Sequence, residues 1–123
     1  MKTILLIALG GALGSVLRYV AGECIHVRMR GVFPWATLSV NLLGCFLIGI
    51  AAGLIAKYGS LSGDFRLFFA VGFCGGFTTF SAFSREILQL LMQGHSFHAV
   101  LYVFTSIIVG VSLTFAGWFI ISR

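Results

Sequence analysis

Four long apolar stretches dominate the pattern along the chain. Ile4 to Gly22 is broken only by Arg18, and Trp35 to Ala56 is opened by Pro34 and closed by Lys57; the third stretch runs from Leu67 to Met92 and the fourth from Phe97 to Ser122. Crossing a hydrocarbon core of about 30 Å takes roughly 20 apolar residues in a helix, because backbone N–H and C=O groups find no water there and must pair within the segment. Each stretch is therefore predicted as a membrane-spanning helix, with Pro34 in a favourable first-turn position. The connections, Glu23 to Phe33, Lys57 to Arg66 and Gln93 to Ser96, leave no room for a soluble domain, so residues 1–123 read as one four-helix transmembrane domain. Lys2 ahead of an apolar run also describes a secretory leader. Gly10, Gly11 and Gly14 at close helical spacing speak for a packed helix instead, and the first run is read as a span.

Composition sharpens this picture. The chain is 59% hydrophobic and 9% charged, where a soluble domain carries about a quarter charged residues. The net charge of +5 does not indicate nucleic-acid binding, which needs basic residues clustered on one face. Cys24, Cys45 and Cys74 are odd in number and lack C-x-x-C spacing, so neither a disulfide framework nor a zinc site is indicated. Position matters more than the charge sum. Lys2, Lys57, Arg66 and Arg123 fall on one side of four spans, Arg28 and Arg30 on the other, with Arg18 and Arg85 near that second side. Orientation normally follows an excess of Lys and Arg on the cytoplasmic side. A near tie predicts insertion both ways up, and hence an antiparallel homodimer. Four helices also make a bundle without a lumen, so a pore would have to form between copies.

Small residues recur in Gly10-Gly11-x-x-Gly14, Gly44-x4-Gly49-x3-Gly53 and Gly110-x6-Gly117. Helices in lipid lack a hydrophobic drive to associate, and such faces let backbones approach closely. The third span holds the main anomaly, Gly72-Phe73-Cys74-Gly75-Gly76-Phe77-Thr78-Thr79-Phe80-Ser81-Ala82-Phe83-Ser84. Glycines followed by β-branched threonines make a poor helix interior. A break at membrane depth is tolerated only where its freed backbone groups are buried in protein or line a wet cavity. Carbonyls freed around Gly75 to Thr78 would suit a hard cation, and the amides of a following half-helix would suit an anion. A glycine-permitted kink with hydroxyls bonded to the preceding turn is the alternative. Phe77, Phe80 and Phe83 are spaced by three and are expected to form a stripe. Ring edges are electropositive, so such a stripe would favour an anion without trapping it.

Few other polar residues lie at depth. Asn41, with Thr37 a turn before it, fits either an interhelical hydrogen bond or a groove lining. Tyr102 and Ser106 share a face of the fourth helix. Arg18, a turn from its expected helix end, fits snorkelling or function equally. Arg85 and Glu86 are expected as a vestibule or interface pair, and His95 and His98 lack the companions of a metal site.

The motifs Gly10-Gly11-x-x-Gly14-x-x-x-Arg18-Tyr19, Asn41 with Gly44, and Gly72 through Phe83 closely resemble the small fluoride channels of the Fluc (CrcB) family, over essentially the whole chain. The resemblance implies an all-α protein with a broken third helix, assembled as a dual-topology dimer in the cell inner membrane. It implies two pores that pass F⁻ passively out of the cytoplasm, where fluoride is trapped after crossing as HF. It places a structural Na⁺ on the backbone carbonyls of Gly75 and Thr78 of both subunits. Pore phenylalanines fall on Phe80 and Phe83, the pore asparagine on Asn41, the polar track on Thr37, Tyr102 and Ser106, and a vestibule carboxylate on Glu86. Ser81, beside Phe80, joins the expected pore wall. The family's track continues a turn beyond Ser106 with a hydroxyl, where this chain has Gly110.

Fluoride is small and tightly hydrated, so a selective path must replace its water with donors. Asn41, hydroxyls and ring edges are the donors at depth. A proton-coupled multidrug exporter shares the size and span count, but needs a carboxylate in its first helix, which here holds Arg18. A non-transporting scaffold subunit would need only the glycine faces and leaves the third-span motif unexplained. No nucleophile and base can be assembled into an enzyme, and no nucleotide-binding loop suggests an energy source.

Overall fold

The computed structural model describes residues 1–59 and 63–123, and all regular structure among them is helical. Helix α1 runs Lys2–Arg28 and α2 Trp35–Lys57. Helix α3 starts at Gly63–Phe65, continues as a π-helical stretch Arg66–Cys74 and ends in the turn Gly75–Phe77. Helix α4 covers Phe80–Met92 and α5 covers Ser96–Ser122. Taking α3 and α4 as one span, the chain has four helices long and apolar enough to cross a membrane, of 27, 23, 30 and 27 residues. At about 1.5 Å per residue even the shortest reaches the ~30 Å of a hydrocarbon core.

Helix α1 does not stop at Gly22, where the apolar run ends. It continues through Glu23 to Arg28, because nothing in this stretch breaks a helix and polar residues near a span's end are free to meet water. Arg18 therefore stands well inside α1 and not a turn from its end. The connection into α2 is correspondingly shorter than the sequence suggests. On the other side of the expected bilayer, Lys2 forms an ion pair with Asp64 and so ties the start of α1 to the start of α3.

Glycine faces set the packing. A Cβ on Gly10 would strike the carbonyl oxygen of Phe68, one on Gly14 that of Phe73, and one on Gly76 that of Gly11, so α1 and α3 meet backbone to backbone. Helices α2 and α5 do the same through Gly49 against Thr114, Gly117 against Phe46, and Gly53 against Trp118 and Ile121. Thr114 adds a hydrogen bond from its Oγ1 to the Cys45 carbonyl at 3.0 Å. A small true core of Leu38, Leu90, Ala99 and Tyr102 joins α2, α4 and α5. Many large apolar side chains of α1 and α5 face outward, whereas those of α2 and α3 are mostly half-buried or buried, as expected where lipid replaces water around the bundle.

Candidate functional site

The third span breaks two residues later than its glycines suggest. Gly75 and Gly76 stay helical, and the break falls on Thr78 and Thr79, both extended (ψ 158° and 118°). Gly76, like Gly72 before it, serves contact with α1, while the threonines leave the helix and bond locally. Thr79 caps α4, its Oγ1 accepting from the Ala82 N–H at 3.2 Å and lying 3.2 Å from Ser81 Oγ. The Thr79 N–H goes to Asn41 Oδ1 at 2.8 Å, and Asn41 Nδ2 donates to the Thr79 carbonyl at 3.1 Å. In a continuous helix these two N–H groups, of Thr79 and Ala82, would serve the carbonyls of Gly75 and Thr78, four residues back. Their diversion leaves those two carbonyls without helical partners. A Cβ on Gly75 would meet nothing within 4 Å, so this part of the break faces away from its own chain.

Two open grooves meet at Thr79. The larger, about 700 Å³, lies between α1, α2 and α4 and is lined by Ser15, Arg18, Tyr19, Glu23, His26, Thr37, Ser81, Arg85 and Glu86 among others. The other, about 490 Å³, lies between α2, the break and α5 and is lined by Asn41, Gly75, Thr78, Phe80, Phe83 and Ser106 among others. The expected site residues thus divide into two groups. Thr37 and Tyr102 converge on Glu86, the Thr37 hydroxyl donating to Oε1 at 2.7 Å and the Tyr102 hydroxyl to Oε2 at 2.8 Å. Asn41, Phe80, Phe83 and Ser106 line the smaller groove. Phe83 connects the two groups, its ring 5.7 Å from Phe80 and edge-on to Tyr102 at 4.9 Å.

Ser106 stands out within this set. Its Oγ is buried and has no hydrogen-bond partner, whereas the hydroxyls of Thr37 and Tyr102 are both paired. Phe80 is 79% exposed, so its ring faces outward from the single chain.

Several expectations change. Phe77 is not in the stripe with Phe80 and Phe83, because the break rotates α4 away from α3. It is buried and closes a stacked ladder of Phe65, Phe69, Phe73 and Phe77, with centroids 5.2 to 5.7 Å apart. Arg85 and Glu86 both line the larger groove, and the Glu86 carboxylate accepts from the Thr37 and Tyr102 hydroxyls. Sequence reasoning missed Ser15, Glu23 and His26 as groove lining, since Glu23 and His26 join the wall only once α1 extends to Arg28. It also missed Thr79 as a cap, for which a threonine just ahead of a helix start was the available signal. Among the described residues no group of three His, Cys, Asp or Glu is placed to hold a metal ion.

Residues 5–118 match the family model described as CrcB-like protein, Camphor Resistance (CrcB). The chain belongs to the CrcB family. Its similarity to relatives is near full length. A protein from Thermus thermophilus named fluoride-specific ion channel FluC is 52% identical, over 96% of this chain and 94% of its own. Those of the same name from Flavobacterium psychrophilum and a strain of Rhizobium etli are 45% and 44% identical, each over 95% of this chain and 94% of their own. With four helices able to span a bilayer, this CrcB chain is a multi-pass membrane protein.

Proposed function

We propose that this chain is a fluoride-selective channel that lets F⁻ leave the cytoplasm passively, working as an antiparallel, dual-topology homodimer in the cell inner membrane. The unpartnered Ser106 hydroxyl in a groove shared with Asn41, Phe80 and Phe83 carries the reading, together with relatives that bear the name of fluoride channels. A buried hydroxyl without a partner costs roughly 1–3 kcal/mol, and an anion that accepts from it removes that cost.

The path runs from the α1-facing groove to the smaller one. Arg18 and Arg85 give the first groove positive charge and draw an anion in, with Glu23 and Glu86 preventing too deep a trap. Beyond Thr79 the ion exchanges water for Ser106, the remaining Nδ2 hydrogen of Asn41 and the edges of Phe80 and Phe83. Chloride, being larger, does not fit a path closed around so small an ion. Both grooves are open in the single chain, and the exposed ring of Phe80 lines the smaller one. A second, inverted copy supplies the missing wall, and the two copies then enclose two pores.

The Gly75 and Thr78 carbonyls are hard oxygen donors freed from helical pairing, and their chemistry fits Na⁺. One copy offers two such oxygens, and the open space at Gly75 admits a second copy that doubles the set. Bound there, Na⁺ would balance the carbonyl dipoles and join the copies as a structural ion.

Release of fluoride from liposomes holding the purified protein, followed with a fluoride electrode and repeated with chloride, tests the reading. Fluoride efflux well above protein-free liposomes with little chloride efflux is expected. Equal efflux with and without protein would end it.

A further inference from the structure

The amide of Asn41 is committed to the backbone of the third span. Oδ1 takes the Thr79 N–H at 2.8 Å and Nδ2 gives to the Thr79 carbonyl at 3.1 Å. Turning the amide over would set NH₂ against N–H and oxygen against oxygen, so only this orientation satisfies both groups. Asn41 thus pairs with the backbone of Thr79 much as a neighbouring strand would.

Local preference makes this stretch a weak helix but does not fix the peptide at which it opens. The third span contains no proline. Among the described residues no non-glycine residue has a positive φ, and threonine lowers helix stability by less than about 0.7 kcal/mol. The Thr78 N–H still reaches the Cys74 carbonyl at 3.0 Å, so the helix is intact up to the peptide before Thr79. At the next peptide the N–H belongs to Asn41. That same N–H is the one a closed helix would deliver to the Gly75 carbonyl.

We propose that Asn41 is a positioning residue for the cation site: by holding the Thr79 N–H it keeps the Gly75 carbonyl uncapped and available as a ligand. The residue lining the anion groove and the oxygen facing the cation are then opposite ends of one hydrogen-bond choice. With Asn41 present the N–H turns to α2 and the carbonyl is free; with Asn41 absent the N–H returns to Gly75 and closes the site. This inference rests on the sodium reading above.

The test is Na⁺ titration of thermal unfolding of the purified full-length protein, with N-methylglucamine holding ionic strength constant. Asn41→Ala is expected to raise the Na⁺ concentration for half-maximal stabilisation by about tenfold, the size of one net hydrogen bond. An ester in place of the Thr79 amide, introduced by semisynthesis into Asn41→Ala, leaves no N–H to cap Gly75. The ester also makes the Thr78 carbonyl a poorer ligand, so the comparison stays within the ester background: there Asn41→Ala should leave the Na⁺ dependence unchanged to within about twofold, which a merely structural role of Asn41 would not give. If Asn41→Ala does not fold, Asn41→Ser, whose short hydroxyl does not span to the Thr79 N–H, takes its place in both backgrounds with the same outcomes. A wild-type Na⁺ dependence in Asn41→Ala, an equally large effect of Asn41→Ala in the ester background, or absence of Na⁺ stabilisation in the wild type would each overturn it. Fluoride efflux from wild-type liposomes reports on the channel reading separately, so efflux without Na⁺ stabilisation sinks this proposal alone.

Discussion

Replacing Ser106 with alanine should make the protein more stable and worse at its proposed task. Its Oγ is buried without a partner, and a buried hydroxyl in that state costs roughly 1–3 kcal/mol. Deleting one oxygen leaves little void, and alanine is the better helix former by a few tenths of a kcal/mol. A gain of about 1–2 kcal/mol is therefore expected in fluoride-free buffer, some five- to thirtyfold in the folding equilibrium. A hydrogen bond to an ion contributes about 1.5–3 kcal/mol, so fluoride flux should fall by about tenfold or more. Reversible unfolding in detergent, read beside liposome efflux, measures both. Ser112→Ala is the control, because the Ser112 hydroxyl is exposed and donates to the Ile108 carbonyl at 2.7 Å, a bond within its own helix; little change in either measurement is expected. Loss of stability in Ser106→Ala would show that the hydroxyl is already paired in the assembled protein. Unchanged flux would remove Ser106 from the path.

Phe80→Ile and Phe83→Ile should each reduce fluoride flux while the protein elutes as the same assembly, and undiminished flux in both would refute the role of the rings. Gly10→Ala drives a methyl group into the Phe68 carbonyl and should cost about 1–3 kcal/mol of stability. Gly75→Ala meets nothing in its own chain and should instead weaken association between copies; thermal unfolding and cross-linking distinguish the two, and the reverse pattern would contradict the packing argument. Tyr102→Phe and Thr37→Val each remove a donor from Glu86, at about 1.5–3 kcal/mol apiece. A double-mutant cycle should show coupling between them, since they share one carboxylate, and strict additivity would mean that the carboxylate turns elsewhere. Terminal labelling from both sides of the membrane should find both orientations; a single orientation excludes the dual-topology dimer.

Much of the fold was legible in the chain, and the reasons differ from residue to residue. The span of α2 was readable almost to the residue, because Pro34 and Lys57 bound an uninterrupted apolar run. The end of α1 was not, because hydropathy reports where lipid ends and a helix persists past that point into Glu23 and His26. The glycine faces of α1, α2 and α5 were visible as spacing, and spacing suffices where the requirement is only the lack of a side chain. The stripe through Phe77 failed because a period of three applies only within one continuous helix. Glu86 was recognisable as an acid at depth, but its partners Thr37 and Tyr102 come from other helices, and nothing in the local sequence chooses them over Arg85 next door.

Sequence alone determined that the chain spans a membrane, how often, and that the third span would be disturbed around Gly75 to Thr78. These depend on transfer of side chains from water to lipid and on local backbone preference, which are sums over neighbouring residues. The tertiary structure decided where the break falls. Gly72 and Gly76, which look like helix breakers, are held helical by close packing against the backbone of α1, and of the residues poor in a helix interior it is the threonines that are drawn out, by an asparagine on α2. An N–H in lipid must pair with something, and which acceptor it finds is settled by the helix that packs beside it. The same rule separates the Gly75 carbonyl from its donor and leaves the Ser106 hydroxyl without an acceptor.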